Sequence, residues 1–415
     1  MRVLFVMPGY PLCKNHPKGG AVRMAGNFEL LQREVQQLHV VRLLRPSERV
    51  EVESFEIDSK EARELRKQAS SWSDVTPPEP GDRPASWGGA INSVLRPEQT
   101  EFWPYQAAKQ LDRLVAQIKP DWLWVEATPN AAALAASSTA IHVLSHHDWL
   151  FRLRQFRRKS RRGTRRLRDW WEIGRLRRAE QRLLRRADGV VSISGTEARE
   201  LSTLGCRDVM WLPFVVEDSD AATIAASPAE CPRIVHLGSF SVTANAQGLD
   251  AYLDRVHPRL NNKASGGELV LVGDTRNAPD SLVQKARAAG ATITGFVEDL
   301  ASFLRPYDIA IIPYEQNTGF RTKLPVLLKH RQVVVATRAS VQGAWLPGLD
   351  EVCCLTDGLD GFPAALARLQ PSEGERRRLG EAGRKFFEAH YTPNAVEQKF
   401  HTFVAGIYQM AQGRR

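Results

Sequence analysis

The sequence has no apolar run approaching the ~18 residues that a membrane-spanning helix needs. Its opening run, Val3–Met7, is cut off by Pro8 and falls short of the ~7–15 residues of a secretory h-region, so it reads as a buried first strand. Cysteine is scarce: five residues, at Cys13, Cys206, Cys231, Cys353 and Cys354. They are odd in number and lack Cys-x-x-Cys or Cys/His ligand spacing, which argues against a disulfide framework or a zinc site. These absences set an expectation of a cytoplasmic chain, soluble or peripheral at the inner face of a membrane.

What is present is a globular composition, 43% hydrophobic and 25% charged over 415 residues, enough for two cores. Short apolar runs alternate with helical patterns, as in parallel sheets covered on both faces. In the first half the strand candidates are Val3–Met7, Leu38–Leu44, Trp122–Val125, His142–Ser145, Val190–Ser194 and Val209–Leu212. In the second they are Ile234–Leu237, Leu269–Val272, Ala291–Thr294, Ile309–Pro313, Val333–Ala336 and Val352–Leu355. Helical periodicity marks Ala21–Gln36, Gln247–Leu260 and Glu373–Ala389. The fold class expected is α/β, with two Rossmann-like doubly wound domains facing each other across a cleft. We place them at 1–225 and 226–392, followed by an amphipathic helix within 393–415 that returns to the first domain. The boundary lies in the acidic, small-residue stretch Glu217–Pro232. Pro46–Pro104, with Pro77–Pro84 and Ser86–Gly89, breaks the alternation and reads as a long irregular loop.

Several strand ends carry residue types suited to phosphates. Gly19, Gly20 and Arg23 open a helix after the first strand, where glycines admit close backbone approach and unpaired N–H groups face a ligand. A plain tight turn is the alternative. Gly238 and Ser239 end a strand, and Asn245 is placed to cap the next helix. Gly273 with Asp274, and Gly295 with Phe296 and Val297, sit at further carboxyl ends, where backbone groups can read a nucleobase edge. Asp299 is more simply a helix cap. The run Ile309–Leu328 brings Thr318, Gly319, Arg321 and Lys323 to a strand-to-helix loop, and two cations there suit a diphosphate leaving group. His146 and His147, adjacent at a strand's end, are candidates for a sugar hydroxyl contact or for proton handling. Asp218-Ser-Asp220 has the form of an Asp-x-Asp metal motif but stands in the linker without a strand before it, and reads as linker.

The order of these motifs resembles the GT-B glycosyltransferases of group 1, family 4. The resemblance spans nearly the whole chain: Gly19–Arg23, Ala187–Ser194, Gly238-Ser239 through Asn245-x-x-Gly248, Leu271–Gly273, Gly295–Asp299 and Gly319–Lys323. It implies a nucleotide-sugar donor on the second domain, with Arg321 and Lys323 at the diphosphate and Gly295–Val297 beside the base. It implies an acceptor on the first domain, with His146 or His147 beside the sugar. The family's pair of glutamates separated by seven residues is absent, Thr318 and Val326 standing there, and Val326 cannot hold ribose hydroxyls.

Charge is concentrated in one place. Phe151–Arg186 holds fifteen Arg and one Lys against Asp169, Glu172 and Glu180, a net +13 in a chain whose total is +10. Ile173, Leu176, Ala179, Leu183 and Ala187 form a stripe, and Trp149, Trp170 and Trp171 accompany it. Such a segment suits an anionic membrane surface; a solvated core helix is the plain alternative, and nucleic acid ranks last. The expected activity is therefore metal-independent transfer of a sugar from a nucleoside diphosphate to a glycan or lipid-linked acceptor, the nucleotide sugar being a co-substrate and no cofactor being needed. The alternative is a non-catalytic protein of this fold that holds a membrane or nucleic acid through 151–186.

Overall fold

Thirteen strands sort into two all-parallel sheets in the computed structural model, which describes residues 1–14, 16, 19–76, 105–128, 130, 133, 139–157, 164–218, 231–260, 267–297, 299–315 and 320–413. The chain divides into two compact units, Met1–Pro213 with Glu397–Arg415, and Phe214–Val396.

The first unit carries β1 (Arg2–Pro8), β2 (Gln37–Leu43), β3 (Ser71–Val75), β4 (Trp122–Glu126), β5 (Ile141–His146), β6 (Gly189–Ser192) and β7 (Val209–Trp211). Their order is β3-β2-β1-β4-β5-β6-β7, so the sheet reverses direction of growth between β1 and β4. The central strands are buried on both faces, which is why they read as near-continuous apolar runs. One face is covered by Leu111 and Val115 of the helix Tyr105–Ile118 together with Leu176, Leu183 and Leu184.

Two expectations are corrected here. The first is Pro46–Pro104 as irregular chain: Pro46–Asp58 and Lys60–Gln68 are helices and Ser71–Val75 is the edge strand. Pro46 sits in the first turn, where its missing N–H costs nothing, and Ser59 caps the second helix by accepting from Ala62 N at 3.2 Å. β3 places a single apolar side chain, Val75, in the core and is otherwise tied by charge, with Asp74 accepting from Arg42 Nε at 2.8 Å. Pro77–Pro84 and Ser86–Gly89 lie outside the described residues. The second concerns the junction. The division falls at Pro213/Phe214, ahead of the acidic stretch. Val216 N donates to Tyr391 O at 2.9 Å and Arg384 Nη1 to Asp218 at 2.8 Å, which ties 214–218 into the second unit. Asp218 is thus engaged by arginine; Asp220 lies outside the described residues.

The helix Pro393–Gly413 supplies the last piece of the first unit, with Phe400 6.0 Å from Trp124 edge-on. Gly189 makes room for it, since a Cβ there would come within 2.8 Å of Ile407 Cδ1.

The second unit carries β8 (Ile234–Leu237), β9 (Leu269–Val272), β10 (Thr292–Gly295), β11 (Ile309–Ile312), β12 (Val333–Thr337) and β13 (Cys354–Thr356). The order β10-β9-β8-β11-β12-β13 reverses between β8 and β11. Its core joins Leu249, Tyr252 and Leu253 of the helix Thr243–Arg255 to Ile309, Ile311, Val333 and Val335.

Candidate active site

Open α/β sheets hold ligands at the carboxyl ends of strands where the order reverses. In the second unit those ends are Gly238, after β8, and Tyr314, after β11. Gly238 has φ +146°, and a Cβ there would lie 2.7 Å from Asn245 Nδ2 and 2.8 Å from Lys323 Nζ. Gly273, after β9, has φ +144°, and its Cβ would fall 2.0 Å from Gly238 O. Both positions need a residue with no side chain, so that Asn245 and Lys323 close onto the end of β8 and the ends of β8 and β9 pack directly on each other.

Lys323 opens the helix Lys323–Lys329, and its ammonium donates to Leu237 O, Tyr314 OH and, at 3.1 Å, Asn245 Oδ1. Tyr314 OH donates to Asn245 Oδ1 at 2.6 Å, and Asn245 Nδ2 donates to Ser239 O at 2.7 Å. Arg321 stacks on the Tyr314 ring, 4.6 Å from its centre, and its Nε donates to Ser340 O at 3.2 Å. The three groups that receive Lys323 are neutral, so they solvate its charge without cancelling it. Burial, followed by the neighbouring Arg321, holds the Lys323 pKa well below the usual lysine range. An incoming anion would reverse that shift.

Gly248 serves the same cluster: a Cβ on it would lie 2.2 Å from Tyr314 Cδ1. Contrary to the expectation from sequence, Asn245 does not cap its helix. The helix begins at Thr243 with Val242 before it, and Asn245, inside the first turn, is drawn to Ser239 and Tyr314.

The remaining second-unit candidates divide. Gly295, φ +74°, accepts from Gly273 N at 2.9 Å, which places the ends of β9 and β10 side by side. Phe296 beyond it is 72% exposed, while Val297 packs against the small core cluster of Val235, Val270, Val272 and Leu304. Asp274 is paired with Arg276, which holds its carboxyl below the usual range. Asp299 accepts from Ala301 N at 2.9 Å as a helix cap. Thr318 and Gly319 lie outside the described residues.

The first unit's reversal point, between β1 and β4, is built differently. Gly19 and Gly20 are the first two residues of the helix Gly19–Glu34, and Arg23 is one turn on. Arg23 is buried, 4% exposed: Nη1 donates to Pro213 O at 2.8 Å, whereas Nε and Nη2 have no partner among the described residues. Burial lowers its pKa to about 10, with Glu126 pulling the other way. Glu126 ends β4 with no solvent exposure and accepts from Asn27 Nδ2 at 2.8 Å, Trp124 Nε1 at 2.6 Å and His147 Nε2 at 2.7 Å. Burial alone would raise its pKa, but these donors, His147 foremost, bring it below the usual carboxylate range. Ala127, next in sequence, has φ +66°, a conformation that costs a non-glycine residue ~1 kcal/mol or more. Nothing in the motifs pointed to Glu126; the signal was a carboxylate closing the fully buried run Trp122–Glu126.

The two histidines part company. His146 has no solvent exposure. Its Nδ1 is 2.9 Å from Thr128 Oγ1, its Nε2 makes an unaligned ion-pair contact of 3.2 Å with Glu197, and Trp149 packs edge-on at 4.8 Å. Burial works against its charged form, and Glu197, with Glu180 and Asp148, outweighs it and raises the pKa. A side chain so enclosed cannot touch a sugar, so His146 is corrected to an interior residue. His147, its side chain 18% exposed, keeps one edge at the surface.

The arginine segment holds two helices, Leu150–Arg157 and Thr164–Arg186. Leu176, Ala179, Leu183 and Leu184 are buried, with Ile173 partly so. Glu180, also buried, accepts from Leu150 N at 2.8 Å and Phe151 N at 3.0 Å and so caps the shorter helix. Burial nonetheless raises its pKa to about 7. Trp149 turns inward, but Trp170 is 76% and Trp171 47% exposed, with the Arg175 guanidinium 4.5 Å above the Trp171 ring. Among the described residues no helix is long and apolar enough to cross a membrane.

Residues 231–370 match the family model of glycosyl transferases group 1, and residues 61–215 that of glycosyltransferase family 4. No curated protein matches the sequence significantly. Among solved structures, HepE of Anabaena in complex with UDP is similar at TM-score 0.64 and 13% identity, over 98% of this chain and 100% of that one. Sucrose-phosphate synthase of Thermosynechococcus elongatus is similar at TM-score 0.65 and 13% identity, over 99% and 100%. A lipopolysaccharide outer core galactosyltransferase, WaaB, is similar at TM-score 0.64 and 10% identity, over 98% and 99%. At these identities the likeness is one of fold, the two-domain GT-B architecture.

Proposed function

We propose that this chain, which belongs to the group 1, family 4 glycosyltransferases, moves a sugar from a nucleoside diphosphate to a glycan or lipid-linked acceptor at an anionic membrane surface. The observation that carries the donor half is Lys323 standing against Gly238 at the end of β8, with Arg321 stacked on Tyr314 just after β11. Diphosphate oxygens placed there would meet the two cations together. Charge developing on the departing diphosphate would be stabilised by these groups, which were in place before reaction, without a metal ion. HepE has been crystallised with UDP and with UDP-glucose, which supports a nucleotide-sugar donor for this chain as well. With Val326 where the family has a ribose-holding glutamate, base and ribose recognition would fall to Gly295–Val297 and their neighbours.

The acceptor half rests on the arginine helix. Near an anionic bilayer each cation contributes about 1 kcal/mol, and two exposed tryptophans suit the interface. In this reading the protein sits peripherally at the cytoplasmic face. The test is release of nucleotide from UDP-, GDP-, ADP-, CDP- and dTDP-glucose with anionic vesicles carrying a membrane lipid extract. One donor consumed by the wild type, and not after Arg321→Ala with Lys323→Ala, supports transfer. Equal consumption by the double variant would place the donor elsewhere.

A further inference from the structure

Trp124 Nε1 is a donor only, and it donates to Glu126 Oε1 at 2.6 Å, so that oxygen must remain an acceptor. Asn27 Nδ2 donates to the same oxygen at 2.8 Å. The other oxygen, Oε2, is left to His147, whose Nε2 lies 2.7 Å away. A carboxylate can only accept, so His147 must carry its proton on Nε2. In the neutral ring, Nδ1 is then a bare lone pair, and the His147 contacts among the described residues run through Nε2.

We infer that Glu126 is a positioning residue that fixes the His147 tautomer, so that the first unit's strand-end site presents a hydrogen-bond acceptor to a sugar hydroxyl. Around Glu126 the titratable and charged groups are His147 and Arg23, with Trp124 and Asn27 as neutral donors. The site is built: Glu126 is wholly buried at the end of β4, the following residue holds a left-handed conformation, and the helix Gly19–Glu34 supplies Asn27. The inference rests on the transferase reading only for the identity of the ligand. The tautomer stands on the geometry alone.

That geometry makes the substitution Glu126→Gln unusually informative. Its carbonyl oxygen must take the Oε1 place, facing Trp124 and Asn27. Its NH₂ group must then face His147 Nε2, which can only accept. The imidazole proton moves to Nδ1, and the site shows a hydroxyl a donor instead of an acceptor. Fold and volume are preserved, as a melting curve checks. A role confined to packing would leave the tautomer unchanged.

The full-length protein is labelled with ¹⁵N-histidine, and the His147 ring is assigned by its loss in His147→Gln. At mildly alkaline pH, where imidazoles are neutral, ring nitrogen shifts distinguish protonated from bare nitrogens. Nε2–H in the wild type and Nδ1–H in Glu126→Gln is the result expected; the same tautomer in both overturns the inference. The ligand is then probed with whichever of UDP, GDP, ADP, CDP and dTDP binds best, bare and as its glucose conjugate. A loss of about 10- to 100-fold in Glu126→Gln for the conjugate alone assigns the hydroxyl to the donor sugar. Unchanged binding with a similar fall in sugar transfer into a membrane extract assigns it to the acceptor. A tautomer swap with neither effect overturns the hydroxyl role, and a wild type that binds none of the nucleotides contradicts the transferase reading instead.

Discussion

At the reversal point of the first sheet, β1 and β4 end beside Asn27, Glu126 and His147; at that of the second, β8 and β11 end beside Gly238, Tyr314 and Lys323. The topology is the same and the chemistry is not. In the first unit side chains fill the place and fix one another's polarity, with a buried carboxylate dictating which imidazole nitrogen faces outward. In the second, glycines let Lys323 and Asn245 close onto the end of β8, and the groups that receive the lysine are neutral. One arrangement suits reading a neutral hydroxyl by hydrogen-bond direction, and the other suits holding an anion of fixed shape. A single fold thus offers two recognition modes, set by a handful of strand-end residues.

The sharpest way to break the contrast is to give the packed glycines a side chain. Gly273→Ala forces a Cβ to 2.0 Å from Gly238 O at φ +144°, and should cost about 3 kcal/mol or more of second-unit stability in urea unfolding. Gly248→Ala meets the Tyr314 ring at 2.2 Å. The expected cost is about 2 kcal/mol, with nucleotide binding weakened because Tyr314 carries the Asn245–Lys323 cluster; unchanged melting would deny Tyr314 its place.

Smaller effects sharpen the account. Changing Trp170 and Trp171 together to alanine should weaken binding to anionic vesicles about tenfold, read by sedimentation, with nucleotide affinity untouched. The pH dependence has a definite sign. Lys323, its pKa depressed by burial and Arg321, must be charged to hold a diphosphate, and binding raises its pKa again. Nucleotide affinity is therefore full below the free-protein pKa and falls as pH rises through it, below the ordinary lysine range. Calorimetry in buffers of different ionisation heat should register proton uptake.

How much of this could be read from the sequence follows from the physics of burial. Central parallel strands are apolar on both faces, so β1, β4, β8 and β11 stand out as runs, and their glycine-marked ends follow. β3 did not stand out, because Ser71–Val75 is a polar edge held by Arg42 and Asp74. The helices at 46–68 bury few apolar side chains, Val52 of one and Ala62 and Leu65 of the other, too few to form an apolar run. Gly248 was visible as a motif, but its reason, the Tyr314 ring, is a tertiary contact. Adjacent histidines in a strand end look equivalent until the alternation of the strand sends His146 inward and leaves His147 at the edge. Glu126 belongs to no motif, and only the donors gathered around it give it meaning.

The central claim is that the second unit's cations bind a nucleoside diphosphate. Calorimetric titration of the wild type and Lys323→Ala with UDP, GDP, ADP, CDP and dTDP tests it most directly. The account predicts micromolar binding of one nucleotide and a loss of about 100-fold in the variant, as for a charged hydrogen-bonding group removed. Equal affinity in the two proteins, or no binding by the wild type, would contradict it.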